Sequence, residues 1–123
     1  MQSRYIRKEK RIPAEKLPQR YRSFSVVTPS KKIINAVTAD ASMKGYGFVT
    51  KDSTGDLGVG SHIELQHSGG EKPVHGTVVY VKMELDGMRI GATLDNKDGY
   101  DEYKRDLSAV IKDLEQRSNK KKL

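Results

Sequence analysis

Two short clusters of polar residues carry the most suggestive chemistry in the sequence. The first reads Arg7-Lys-Glu-Lys-Arg11, and the second reads Asp40-Ala-Ser42-Met-Lys-Gly45. In an extended segment, residues four apart project to the same side, so Arg7 and Arg11 can act on one compact ligand. The planar arginine fork is suited to bidentate hydrogen bonding with a phosphate. The first cluster therefore fits an anionic ligand.

The second cluster complements the first in hydrogen-bonding capacity. Asp40 accepts only, Ser42 can donate or accept, and Gly45 leaves room for a close backbone approach or a positive φ. A simpler interpretation stays open for both clusters. Arg7 and Arg11 could be a solvated charge run, and Asp40 and Ser42 could form a β-turn through side-chain to backbone hydrogen bonds.

Catalytic groups are scarce in this sequence. It has no cysteine, and the three histidines stand at spacings of five and eight residues, which match no zinc pattern. No serine lies in a nucleophile elbow, and no glycine-rich stretch ends as a P-loop does. We therefore expect a protein that is not an enzyme, with no metal site and no cofactor.

The segments that must position these clusters have the pattern of short β-strands. Runs rich in β-branched and aromatic residues are separated by turn signals such as Thr28-Pro29-Ser30-Lys31 and Asp86-Gly87. The runs are Tyr21 to Val27, Lys32 to Thr38, Tyr46 to Thr50, Ser61 to Gln66, Val74 to Val81 and Met88 to Leu94. About six strands at this spacing indicate a mainly β protein, an antiparallel barrel or sandwich.

The two ends of the chain differ from this β pattern. Pro13 and Pro18 prevent a continuous helix near the N-terminus, so residues 1–20 are predicted to be a flexible basic arm. Near the C-terminus, apolar residues recur at helical spacing, which predicts a helix over residues 101–117. The predicted organisation is an arm over residues 1–20, a barrel or sandwich over 21–98, and a helix with a basic tail over 99–123.

Together the two clusters resemble the paired motifs of the PilZ family, R-x-x-x-R and D-x-S-x-x-G. Ile12-Pro13 follows the first motif, as an apolar residue and proline usually do in that family. The resemblance continues through Gly60 to Leu65, Gly76 to Val81, and Arg89-Ile-Gly91-Ala-Thr-Leu94, covering roughly residues 7–95. It implies a six-stranded antiparallel barrel with a flexible N-terminal arm and a C-terminal helix.

The resemblance also implies a ligand, cyclic di-GMP, which offers two phosphates and two guanines. On this reading Arg7 and Arg11 meet a phosphate or the O6/N7 edge of a guanine, and Asp40 accepts from guanine N1–H and N2–H. Ser42 contacts phosphate or base, and Gly45 completes the site. The implied protein is a bacterial receptor or adaptor that changes conformation on binding and regulates a downstream protein in motility, secretion or exopolysaccharide and biofilm formation.

A second resemblance competes for the same stretch of chain. Lys44-Gly-Tyr-Gly-Phe-Val-Thr50 is similar to the core of cold-shock domains, where exposed rings on a barrel strand stack single-stranded bases. Against it, the strand from Ile33 to Thr38 has no aromatic residue, and no second aromatic motif follows. This alternative, a single-stranded nucleic-acid-binding barrel, requires Tyr46 and Phe48 to face solvent.

The net charge of +7 lies at the two ends of the chain. Residues 1–22 hold eight lysines and arginines against two glutamates, and residues 117–123 hold four more cations, so the body between them is mildly acidic. An acidic body argues against a nucleic-acid coat. The sequence contains no apolar run of membrane-spanning length and no cysteine, which leads us to expect a cytoplasmic protein.

Overall fold

The computed structural model describes residues 10–52 and 56–121, and within these ranges the chain forms seven strands and one α-helix. The strands are β1 (Ile12–Pro13), β2 (Ser23–Val27), β3 (Ile33–Ala41), β4 (Gly45–Thr50), β5 (His62–Gln66), β6 (Val74–Glu84) and β7 (Gly87–Leu94). The helix, α1, spans Tyr100–Lys121. Two short 3₁₀ turns, Ala14–Lys16 and Gln19–Tyr21, connect β1 to β2.

Six of these strands close into an antiparallel barrel. Their order is β3, β2, β5, β6, β7 and β4, and the pairing of β3 with β4 completes the ring. The β6–β7 hairpin is tight, because Glu84 pairs directly with Gly87. A Cβ at Gly87 would lie 2.3 Å from the carbonyl oxygen of Thr50, and its φ of 142° also favours glycine. Glycine is therefore required at the start of β7.

Strand β1 is short but sets the path of the N-terminal segment. It pairs with the last residues of β3, beyond the part of β3 that pairs with β2. In this pairing Ile12 faces Ala41 and Pro13 faces Asp40. Pro13 is tolerated because this is an outer strand of only two residues. In this register Arg11, one residue earlier, comes beside Ser42.

Aromatic rings fill the centre of the barrel. Tyr46 and Phe48 alternate inward along β4 and are both 0% exposed. Phe24 of β2 packs edge-on against each of them, with ring centroids 5.3 and 5.5 Å apart. Such edge-to-face contacts add to the free energy that burial of the rings contributes.

Helix α1 packs its apolar stripe against the barrel and the segment before β2. Tyr100, Tyr103 and Leu107 are buried in the core, and Val110, Ile111 and Leu114 pack against it while half-buried. Asp101 and Glu102 lie in the first turn, where carboxylates interact favourably with the helix dipole. The sequence predicts the helix over residues 101–117, and the structure extends it at both ends.

The predicted six-stranded barrel and C-terminal helix are confirmed. Part of the predicted arm packs into the protein, since Ile12 and Leu17 are 1% and 2% exposed and belong to the core. Pro13 and Pro18 prevent a continuous helix but not an ordered segment, and two fully buried aliphatic side chains each favour folding by about 1.5–3 kcal/mol. The first nine residues of the arm lie outside the described residues.

Candidate ligand-binding site

The side chain of Arg11 joins the two polar clusters that the sequence singles out. Its Nη2 donates to Asp40 Oδ1 at 2.9 Å, and its Nη1 donates to Ser42 Oγ at 3.1 Å. Asp40 is about one quarter exposed as a side chain, so solvent screens this ion pair only in part. The guanidinium is held in one orientation at the end of β3.

A β-bulge explains why Asp40 faces outward. Along β3, Ile34, Ala36 and Thr38 point into the barrel, and strict alternation would place Asp40 inside with them. The pairing with β4 instead skips Ala39, since Thr38 faces Phe48 and Asp40 faces Gly47. The extra residue turns Asp40 to the outer face, a use of bulges that is common beside functional sites.

A second bulge does the same for Tyr80 on β6. Val74 and Val78 point inward, and the pairing with β7 then skips Val79, so that Tyr80 faces Gly91 on the outside of the barrel. A Cβ on Gly91 would lie 2.1 Å from the ring of Tyr80, so the ring rests directly on the glycine. The strand partners align Asp40, Gly47, Gly91 and Tyr80 in one row across four strands.

Arg89 lies between the two ends of this row. Its Nη2 is 3.7 Å from Asp40 Oδ2, and a hydrogen bond with Tyr80 raises the pKa of Arg89, which therefore keeps its charge. Together, Arg11 and Arg89 place two guanidinium groups around one carboxylate. The excess positive charge favours an anionic ligand on this face.

Two glycines of β4 leave the space that the Arg11 and Asp40 side chains occupy. A Cβ on Gly45 would lie 2.9 Å from Arg11 Nη1, and a Cβ on Gly47 would lie 2.8 Å from Asp40 Oδ1. Neither glycine has a positive φ. The sequence offers two reasons for a glycine at position 45, a close approach or a positive φ. The structure supports the close approach.

The turn between β3 and β4 is fixed by its own hydrogen bonds. The Ser42 amide donates to the carbonyl of Gly45 at 2.8 Å, and the Gly45 amide donates to Ser42 Oγ at 3.0 Å. This is the side-chain to backbone turn that the simpler interpretation describes, and it coexists with the contact to Arg11. Ser42 is 0% exposed, so its hydroxyl orients Arg11 and the turn.

The structure thus brings together Arg11, Asp40, Ser42 and Gly45, while Arg7 lies outside the described residues. Gly47, Tyr80 and Arg89 also lie at the candidate site, although no motif in the sequence singles them out. Arg89 and Gly91 belong to the last segment that resembles the PilZ family. Their proximity to Asp40, however, depends on strand register. The two bulges, which turn Asp40 and Tyr80 outward, have no signature in the sequence.

The aromatic strand does not form a base-stacking surface. Tyr46 and Phe48 are enclosed in the barrel core, and the Tyr46 hydroxyl donates to the carbonyl of Tyr21 at 2.7 Å. A ring that is buried on both faces cannot stack on a nucleic-acid base. This geometry argues against the cold-shock alternative.

Residues 10–52 and 56–121 contain neither a metal-binding cluster nor a membrane-spanning helix. No group of three or more histidine and carboxylate side chains is arranged to hold a metal ion there. The helix in that part of the chain lacks the length of apolar sequence needed to cross a membrane.

Comparison with solved structures identifies the architecture. The chain aligns with the PilZ domain with c-di-GMP of YcgR from Escherichia coli at a TM-score of 0.62, covering 94% of this chain and 96% of that one at 16% identity. The chain has a PilZ fold. It also aligns with YcgR in complex with c-di-GMP, at a TM-score of 0.61 and 17% identity, covering 94% of this chain and 49% of that one.

The alignment with the PilZ domain of YcgR covers nearly the whole of both chains. This chain corresponds to about half the length of the second YcgR structure. No family model matches the sequence, and no curated protein matches it.

Proposed function

We propose that this protein is a receptor for cyclic di-GMP, bound on the outer face of the barrel at the β3–β4 turn. Arg11, Asp40, Ser42 and Gly45 form the described part of the site, and Arg7 completes it. The observation that carries the proposal is the Arg11 guanidinium held by Asp40 and Ser42 on a PilZ fold. Both YcgR structures that the fold matches contain c-di-GMP.

The charges at this face suit a ligand with two phosphates and two guanines. Arg11 and Arg89 offer guanidinium groups that can meet a phosphate or the O6/N7 edge of a guanine. Asp40 uses Oδ1 for Arg11, and its Oδ2 is only 3.7 Å from Arg89, a weak contact that a guanine N1–H or N2–H can replace. Asp40 then accepts hydrogen bonds from both Arg11 and the ligand.

A buried donor of Arg11 supports the proposal that the site rearranges on binding. Its Nε is shielded from solvent and has no acceptor among the described residues. Buried donors without acceptors are rare in native proteins and cost about 1–3 kcal/mol. A phosphate oxygen that reaches this nitrogen must displace a neighbouring group, so binding and a local conformational change are coupled.

The protein has no catalytic role in this proposal. Binding at the turn changes the position of the N-terminal segment, and a downstream protein recognises the difference. The pathway we propose is one of those that cyclic di-GMP receptors serve in bacteria, namely motility, secretion or the production of exopolysaccharide and biofilm. The receptor would act in the cytoplasm, with no cofactor.

Calorimetric titration of the full chain with cyclic di-GMP tests the proposal. Cyclic di-AMP is the matched control, because adenine presents an amino donor where guanine presents the O6 acceptor. We expect saturable binding of cyclic di-GMP in the micromolar range or tighter, and weak binding of cyclic di-AMP and of single-stranded RNA at moderate salt. RNA binding tighter than that of cyclic di-GMP would favour the cold-shock alternative.

A further inference from the structure

The first turn of α1 is hydrogen-bonded to the turn that holds Ser42. Tyr103 donates its hydroxyl hydrogen to the carbonyl oxygen of Ser42 at 2.7 Å, and Tyr100 donates to the carbonyl of the next residue, Met43, at 2.8 Å. Tyr103 is 2% exposed and packs edge-on against the ring of Tyr21. Two side chains of one helix therefore fix two consecutive peptide groups.

One turn later, the same helix holds the segment that follows Arg11. Asp106 Oδ2 accepts from Arg20 Nη2 at 2.5 Å and from the Tyr21 hydroxyl at 2.6 Å. Partial burial acts to raise the pKa of Asp106, but the hydrogen bonds from Tyr21 and Arg20 outweigh it and lower the pKa. The carboxylate is therefore ionised at neutral pH and available to both donors.

These contacts connect α1 to both halves of the candidate site. Ser42 Oγ accepts from Arg11, so a displacement of the turn also displaces the guanidinium. Arg20 and Tyr21 end the short connection that begins at β1, where Arg11 lies one residue before the strand. We propose that α1 positions the cyclic di-GMP site, with Tyr103 as the principal positioning residue.

This inference rests on the proposed function. It adds helix α1, which lies outside the two motifs, to the parts of the chain that determine binding. Burial raises the pKa of Tyr103, so its hydroxyl keeps its proton and remains a donor over the whole physiological pH range. The Ser42 carbonyl is enclosed with it, and loss of the donor leaves a buried acceptor with reduced bonding. The turn keeps its own hydrogen bonds and the contact with Tyr100, but it becomes more mobile, and Arg11 moves with it.

The test replaces Tyr103 by Phe, which removes only the hydroxyl and keeps the ring in the core. The matched control is Tyr46→Phe, which removes another buried tyrosine hydroxyl, one bonded to the carbonyl of Tyr21 inside the barrel. Both variants are expected to lose stability in urea unfolding, Tyr46→Phe the more, because the Tyr46 hydroxyl also contacts Thr38 and His67. Only Tyr103→Phe is expected to bind cyclic di-GMP more weakly, by about fivefold to tenfold.

A second measurement distinguishes this inference from the proposed function. Amide hydrogen exchange of Ser42 and Gly45 in ligand-free protein should be faster in Tyr103→Phe than in the parent, and unchanged in Tyr46→Phe. Parental affinity in Tyr103→Phe, or equal effects of both variants on affinity, would overturn the inference. A parent that does not bind cyclic di-GMP would overturn the proposed function and, with it, the positioning of a ligand site. The exchange rates would still show whether Tyr103 fixes the turn.

Discussion

Arg11 donates to Asp40 across the end of β3, with Nη2 and Oδ1 2.9 Å apart. The two residues are 29 positions apart in the sequence and meet because β1 pairs with the last residues of β3. The same guanidinium donates to Ser42, so one side chain links both motifs.

Arg11→Lys should lower the affinity for cyclic di-GMP by about tenfold to a hundredfold, because one ammonium cannot keep the hydrogen bonds to Asp40 and Ser42 and also offer a planar fork to a ligand. Calorimetry measures the effect. Arg117→Lys on the exposed end of α1 is the control and should bind as the parent does. Equal affinities for the parent and Arg11→Lys would show that charge alone is sufficient at this position.

Gly47→Ala should weaken binding while leaving the barrel folded. The added methyl would lie 2.8 Å from Asp40 Oδ1 and must push the carboxylate away from Arg11. Gly58→Ala is the matched control, because a Cβ there meets nothing within 4 Å. A titration in which both variants bind like the parent would contradict the role assigned to Asp40.

Phe48→Ala tests the placement of the aromatic strand. Removal of this fully buried ring should lower the free energy of unfolding by about 3–5 kcal/mol. Urea unfolding provides the measurement, and Val37→Ala on the exposed face of β3 should change stability little. An unchanged unfolding midpoint for Phe48→Ala, together with loss of oligonucleotide binding, would favour a solvent-facing stacking ring.

Acidification should destabilise the protein through His67. Burial lowers the pKa of His67 to about 4, with a further contribution from the charge of Arg20, whereas an unfolded histidine titrates near 6.5. The unfolded state therefore binds more protons between these values, and stability falls as pH drops from about 6.5 towards 4. The loss attributable to this group is on the order of 2–3 kcal/mol.

Urea unfolding at several pH values measures this effect. His67→Gln removes the titrating group and can keep a hydrogen bond to the Tyr46 hydroxyl, which lies 3.2 Å from His67 Nε2. Stability of this variant should depend less on pH over that range, while the exposed His62→Gln should follow the parent. Identical pH profiles for the parent and His67→Gln would contradict the assignment.

Much of the fold can be predicted from the sequence because its signals are local. Alternation and turn residues define the hairpins, and the spacing of Tyr103, Leu107 and Val110 defines α1. Strand β1 has only two residues and no periodicity, so the burial of Ile12 becomes evident only from its pairing with Ala41.

The candidate site likewise has one part that the sequence predicts and another that only the structure reveals. The motif residues Arg11, Asp40, Ser42 and Gly45 can be identified from type and spacing. Gly47, Tyr80 and Arg89 join them only through strand register and through the bulges at Ala39 and Val79. From the sequence, Tyr103 belongs to an apolar stripe, and nothing local indicates that its hydroxyl reaches Ser42.

The central claim, a cyclic di-GMP site formed around Arg11, is tested most directly by calorimetric titration of the parent and of Arg11→Ala at moderate salt. We predict saturable binding in the micromolar range or tighter for the parent, and no measurable binding for an Arg11→Ala protein whose circular dichroism matches that of the parent. Absence of binding by the parent, or equal affinity in the two proteins, would contradict the account.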